Sequence, residues 1–239
     1  MNAIVYIARR EMQSYLNSPV AYVVLGVFLL FLGYFYFSTL FLIGFASMRN
    51  FFSLAPMLLV VFSPALSMRL IAEERKSGTI ESLLNFPVRD FEVVLGKFFG
   101  GFGIVVIGLL LTVPYVFSVA WLVPKEMSFD YGPAIGGYLG LLFLSSSFVA
   151  FGLLASSLTK NQIVAFVIGF VLCVSFFLID KVAVILPYSW EFIFEFLSVD
   201  VHFANIARGV LDSRDLLYYL SLTTVALFFT TRMLRRSRA

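Results

Sequence analysis

Residues 69–97 read RLIAEERKSGTIESLLNFPVRDFEVVLGK, the longest polar interruption between two strongly apolar segments of the chain. Glu73, Glu74, Arg75 and Lys76 set four charges in a row, a group that hydrocarbon admits only at heavy cost. Ser77-Gly78-Thr79 follows as a turn and helix start, because short hydroxyl side chains cap free N–H groups. Ile80, Leu83 and Leu84 then fall at i, i+3 and i+4 and form a short apolar stripe, with Glu81 and Ser82 polar beside it. Pro87 biases Phe86 away from helix and limits this element to about two turns. Asp90 and Glu92 open the next helix with negative charge at its N-terminus. So short an amphipathic helix between two membrane helices has two readings: a peg that docks a soluble partner, or a loop resting on lipid headgroups.

Of the 239 residues, 61% are hydrophobic and 13% charged, against about 25% charged in an average soluble domain. Apolar runs longer than about 18 residues mean membrane spans rather than a soluble core. The single cysteine, Cys173, lies in such a run and excludes an internal disulfide framework and a cysteine-based zinc site. A formal charge of +3 gives no ground for nucleic-acid binding. The sequence contains no G-x-x-x-x-G-K-[ST], so nucleotide chemistry is not carried by this chain. Arg9 and Arg10 precede an apolar stretch far longer than a signal-peptide core, without a small-residue cleavage site, so the N-terminus is expected to stay attached.

Outward from the opening stretch, residues 1–17 form an amphipathic helix that lies in the membrane interface. Ile4, Tyr6, Ile7, Tyr15 and Leu16 share one face, with Arg9, Arg10 and Glu11 opposite. Six spans follow by hydropathy, over about Val20–Phe41, Phe52–Met68, Phe98–Val123, Ala134–Leu158, Gln162–Ile179 and Leu216–Thr231. Tyr218 and Tyr219 are expected to anchor the last span at its outer interface. Gly96 and Gly100, and Gly132, Gly136 and Gly140, recur every four residues, a period that lets helices pack closely in lipid. Placing both termini, residues 69–97 and Lys160 on one side gives that side twelve Lys and Arg residues against five on the other. The positive-inside rule makes that side cytoplasmic.

Residues 180–215 are then external. Leu186-Pro187-Tyr188 breaks the helix after the fifth span. Ile193, Phe194, Phe196 and Leu197 form an apolar surface, and Glu191 and Glu195 share a polar face at i, i+4. One or two short helices in or on the outer leaflet are expected. His202, the only histidine, reads as a hydrogen-bonded or interfacial residue, since nothing in its spacing supplies a metal site. The spans contain no internal charge, which argues against ion-coupled carriers. Glu73-Glu74-Arg75 lacks the spacing and the histidines of an E-E-x-x-x-R glutamic protease, and clustered catalytic side chains are missing from the spans.

The run EERKSGTIESLLNFPVRDFEVVLGKF resembles the loop between the second and third spans of ABC-2 type transporter permeases. There an acidic-basic cluster precedes G-T-[IL]-E-x-L-L, a proline turn and [VI]-[LV]-G-K. ARREMQSYLNSPVAY and HFANIARGVLDSRDLLYYLSL agree, and the three together are most similar to the gliding-motility-associated branch. The resemblance implies one transmembrane domain over residues 1–239, in a homodimer or pseudo-dimer bound to two ATPase subunits that carry ATP and Mg. It also implies export across a bacterial inner membrane and a membrane-anchored accessory subunit. In that setting Ile80, Leu83 and Leu84 insert into the ATPase after the Gly78-Thr79 turn. Glu73, Glu74, Arg75, Lys76 and Glu81 orient it through rim charges. Glu191, Ile193, Phe194, Phe196, Leu197 and His202 belong to hairpins that close the outer end. The alternative function is a membrane scaffold that recruits a soluble partner through residues 69–97 without moving substrate.

Overall fold

The computed structural model of the chain describes residues 3–43, 47–79, 88–122, 131–183 and 188–236. These residues are all helical or in short connections. In chain order the elements are α1 (Ala3–Leu16), α2 (Pro19–Ile43), α3 (Arg49–Ser67), α4 (Arg69–Ser77) and α5 (Asp90–Leu110). They continue with α6 (Val113–Leu122), α7 (Tyr131–Leu158), α8 (Gln162–Ala183), α9 (Tyr188–Leu197), α10 (Val199–Ala207) and α11 (Ser213–Arg236). Six segments are long and apolar enough to cross a membrane: α2, α3 with α4, α5 with α6, α7, α8 and α11. This is the expected all-α membrane architecture, with its N-terminal helix and its short helices before the last span.

The central helix is α7. In its most apolar stretch 72% of residues are buried, against 28% in α2 and α11 and 17% in α8. A helix hydrophobic all round is buried on all sides when protein surrounds it and faces lipid when protein does not. Here α7 is the enclosed case, and α8 is the span with the smallest buried share. Two spans extend well beyond what their hydropathy predicts. The second does not end at Met68 but runs on to Ser77 through α4. The third starts at Asp90, eight residues before its apolar core at Phe98, and breaks at Leu111-Thr112. Pro114 supplies the reason, since it has no N–H to give the preceding turn. The Thr112 hydroxyl donates to the Leu109 carbonyl at 2.6 Å and meets the Tyr138 hydroxyl at 2.9 Å.

The last span corrects one expectation. Tyr218 and Tyr219 are not membrane-interface anchors but are buried in the protein. Their hydroxyls donate to the Leu197 and Val199 carbonyls at 2.5 and 2.7 Å. The Leu197 carbonyl is among those that α9 leaves without helical partners at its C-terminal end, and Val199 opens α10.

Candidate functional site

Two of the predicted site stretches lie at opposite ends of the bundle. At the end that holds both termini, α4 carries Glu73, Glu74, Arg75 and Lys76. Its entry is capped from a distant helix. The Ser156 hydroxyl of α7 accepts from the Ile71 and Ala72 N–H groups at 3.0 and 2.9 Å and donates to the Met68 carbonyl at 2.7 Å. That one side chain serves the free N–H groups a helix start leaves open. Leu70, Ile71 and Ala72 are buried behind it. The exit is set by Gly78, whose φ of 73° ends the helix in the left-handed region that glycine enters without penalty. The Ser77 and Thr79 hydroxyls meet there at 2.8 Å.

Glu74 turns inward from α4. Its Oε1 receives Lys97 Nζ at 2.8 Å and Arg10 Nη2 at 3.3 Å. Lys97 also reaches Glu11 Oε1 at 2.9 Å and donates to the Leu70 carbonyl at 2.7 Å. Its side chain is only 2% exposed. An ammonium so placed is retained only because carboxylates and a carbonyl surround it. The cluster therefore fastens α1, α4 and α5 at one point.

The close approach of α1 to α5 makes these contacts possible. A Cβ at Gly96 lies 2.6 Å from Ile7 Cβ, and one at Gly100 lies 2.5 Å from Glu11 Cβ. The predicted four-residue glycine period is thus the seat of the N-terminal helix. Glu11 corrects the predicted helix faces, since it turns inward toward Lys97 instead of joining Arg9 on the polar side. Arg69 lies over the Tyr15 ring at 3.8 Å and donates to the Ser18 hydroxyl at 3.2 Å. The Tyr15 hydroxyl donates to the Leu66 carbonyl, and burial pushes its phenol pKa up. A polar cleft of about 340 Å³ opens here, lined by Arg10, Ser14, Ser18, Arg69, Glu73 and Thr79. Glu73 and Lys76 are exposed and Arg75 is half-buried. Ile80, Glu81, Leu83 and Leu84 lie outside the described residues.

A family model described as ABC-2 family transporter protein matches residues 5–229, nearly the full chain. This chain belongs to that family. Comparison with curated proteins finds no match. Its place in the family makes it a membrane-embedded transport subunit of an ABC transporter.

At the other end of this ABC-2 chain, α9 and α10 form a hairpin against α7, α8 and α11. Ile193 and Phe196 are 45% and 58% exposed, while Phe194 and Leu197 are half-buried. Glu191 belongs to α9, and its side chain lies outside the described ones. His202 is buried, with Nδ1 2.5 Å from Asp215 Oδ1 and Nε2 3.0 Å from the Phe196 carbonyl. Tyr218 stacks on its ring at 3.9 Å. Lys181 pairs with Asp180 at 2.6 Å and Asp200 at 3.3 Å, and Ser198 donates to Asp180 at 3.2 Å. Burial lifts the Asp200 carboxyl pKa, and the Lys181 bond opposes that shift.

Sequence reasoning missed Glu11, Lys97, Ser156 and Asp215 as parts of these clusters. Lys97 gave a usable signal: it stands in VVLGKFFGGF, where a lone charge among apolar residues demands a buried partner. Ser156 gave none, because Ser is common on any membrane helix.

Proposed function

We propose that this chain is the permease subunit of an ATP-driven exporter. Residues 69–97 couple it to two separate ATPase subunits, which bind ATP and Mg. The observation that carries the reading is the Glu74 cluster. It fastens the helix leading into residues 80–87 to both the N-terminal helix and the third span. A push on residues 80–87 reaches α1 and α5 through buried ionic contacts rather than through a free loop. Ile80, Leu83 and Leu84 form the inserting face, and Glu73, Lys76 and Glu81 provide rim charges. The terminal end is cytoplasmic, as the twelve-to-five distribution of Lys and Arg supports. The α9–α10 hairpin then serves as the outer gate, with Ile193, Phe194, Phe196 and Leu197 as its apolar surface. A second permease copy completes the pathway in a bacterial inner membrane. The three motif stretches favour the gliding-motility-associated branch, and with it a membrane-anchored accessory subunit.

The test is Leu83→Asp with Leu84→Asp, which places carboxylates in an apolar groove. Loss of complementarity at such a contact costs about 2–5 kcal/mol, or about thirtyfold or more in association. The ATPase should no longer copurify with the double variant, while Ser82→Asp keeps it. Retention of the ATPase and of coupled transport by the double variant removes residues 80–87 as the transmission element.

A further inference from the structure

The polar cleft between α1 and α4, at about 340 Å³, has room for a group of many atoms, since a water's share of liquid volume is about 30 Å³. Its walls carry both signs of charge. Arg10 and Lys97 are engaged with Glu74 and Glu11. Two lining charges remain, Arg69 and Glu73, and neither forms an ion pair among the described residues. They stand at i and i+4 on α4, but Arg before Glu is the weaker order for such a pair. Arg69 is turned to the Tyr15 ring and the Ser18 hydroxyl instead. A guest with net charge satisfies one of the two and is repelled by the other, whereas a zwitterion satisfies both.

The order of these charges has a direction. Ser18 directly precedes the first span, and the apolar run of the second ends at Met68. Arg69 therefore stands where hydrocarbon gives way to headgroups. Glu73 follows one helical turn farther from the membrane, about 6 Å along α4. Going outward, the cleft offers a cation first and a carboxylate second. An amine-bearing phospholipid presents the opposite charges in that same order, phosphate beside the glycerol and ammonium beyond it. Beyond Ser18, α2 exposes Val20, Val23 and Val27 at i, i+3 and i+7, an apolar stripe for acyl chains.

Two lining side chains also keep a buried polar atom without a hydrogen-bond partner: Arg69 Nη2, a donor, and Glu74 Oε2, an acceptor. Such atoms are costly to leave unmatched. A guanidinium suits phosphate oxygens, and a primary ammonium brings three N–H donors to carboxylates. A quaternary choline brings none.

We propose that this cleft binds the phosphoethanolamine headgroup of a membrane phospholipid, with Arg69 on the phosphate and Glu73 on the ammonium. The lipid then bridges α1 and α4 beside the Lys97 junction.

The test places the full chain in nanodiscs of equimolar phosphatidylethanolamine, phosphatidylcholine and phosphatidylglycerol with identical acyl chains. Native mass spectrometry then reads the lipid that stays bound. The parent should retain phosphatidylethanolamine about tenfold over each of the others, the effect of one charge-assisted hydrogen bond. Glu73→Gln, at an exposed position, should abolish that preference. Arg69→Gln should lower retention of all three lipids; if it fails to fold, the Glu73 variant decides. Glycerophosphoethanolamine, the soluble headgroup, should leave the lipid in place when added at equal concentration. Equal retention of the three lipids by the parent, or none, leaves the cleft to water and overturns the site. A Glu73→Gln protein that keeps the preference overturns it as well, as does undiminished retention by a folded Arg69→Gln protein. Displacement by the soluble headgroup assigns the cleft to a soluble zwitterion and overturns the lipid. The measurement needs neither ATPase nor transported substrate, so it stands or falls apart from the exporter reading.

Discussion

At one end of the bundle a lysine is buried between two glutamates, and at the other a histidine is buried against one aspartate. The first joins helices far apart in sequence and the second three consecutive ones, and both sit where a short helix meets a long span. They differ in the cation. Lys97 meets two carboxylates and a backbone carbonyl, whereas His202 meets one carboxylate and one carbonyl. The α1–α4–α5 junction therefore gathers three helices on one shared ammonium, and the α9–α10 hairpin is held by a single pair. The lesson is that a buried cation shared by two carboxylates ties distant elements together, while one His–Asp pair fastens neighbours.

The largest expected effect lies at the junction. Lys97→Met leaves Glu11 and Glu74 buried without their shared ammonium, and breaking a buried pair in this way costs about 3–5 kcal/mol. The detergent-solubilised protein should lose its monodisperse peak at a clearly lower temperature. Adding Glu11→Gln should restore part of the loss, because Glu74 still has Arg10. An unchanged melting profile for Lys97→Met would erase the difference between the two ends.

A smaller, local effect belongs to the hairpin. His202→Phe keeps the ring volume and the stack on Tyr218 but strands Asp215, at about 1–3 kcal/mol. Hydrogen exchange should quicken in α9 and α10 while α4 and α5 stay protected. Uniform loss of protection would show that the hairpin is part of the permanent core.

Glycine substitutions compare the helix seats directly. At Gly100 an added methyl meets Glu11 Cβ at 2.5 Å and the Ala8 carbonyl at 3.2 Å, so Gly100→Ala should cost about 1–3 kcal/mol by overpacking. At Gly140 the nearest atoms belong to the Phe203 ring at 3.0 Å, a side chain able to shift. Gly140→Ala should therefore cost less than Gly100→Ala in the same thermal assay. The smallest effect is expected for Arg235→Ala. Its 3.3 Å pair with Asp90 has a side chain that is 64% exposed, and such pairs contribute at most about 1 kcal/mol. A large loss there would mean that the terminal end relies on surface charge as well as on Lys97.

The sequence alone determined the six spans, the amphipathic first helix, the turn at Gly78 and the close-packing glycine period at Gly96 and Gly100. Each of these is a local property: an apolar run, a period of 3.6 residues, a backbone that only glycine adopts easily, a small residue every fourth position. Only the tertiary structure decided which charges face inward. Glu11 and Lys97 are 86 residues apart and Arg10 and Glu74 are 64 apart, separations that no periodicity covers. Tyr218 and Tyr219 carry the same amphipathic signature whether they face lipid headgroups or protein carbonyls, so their burial depended on where α9 and α10 came to rest. His202 and Asp215 are each ordinary in the sequence. Their chemistry arises from both ring nitrogens meeting acceptors in a buried site, and burial is set by the packing of neighbours rather than by the residues themselves.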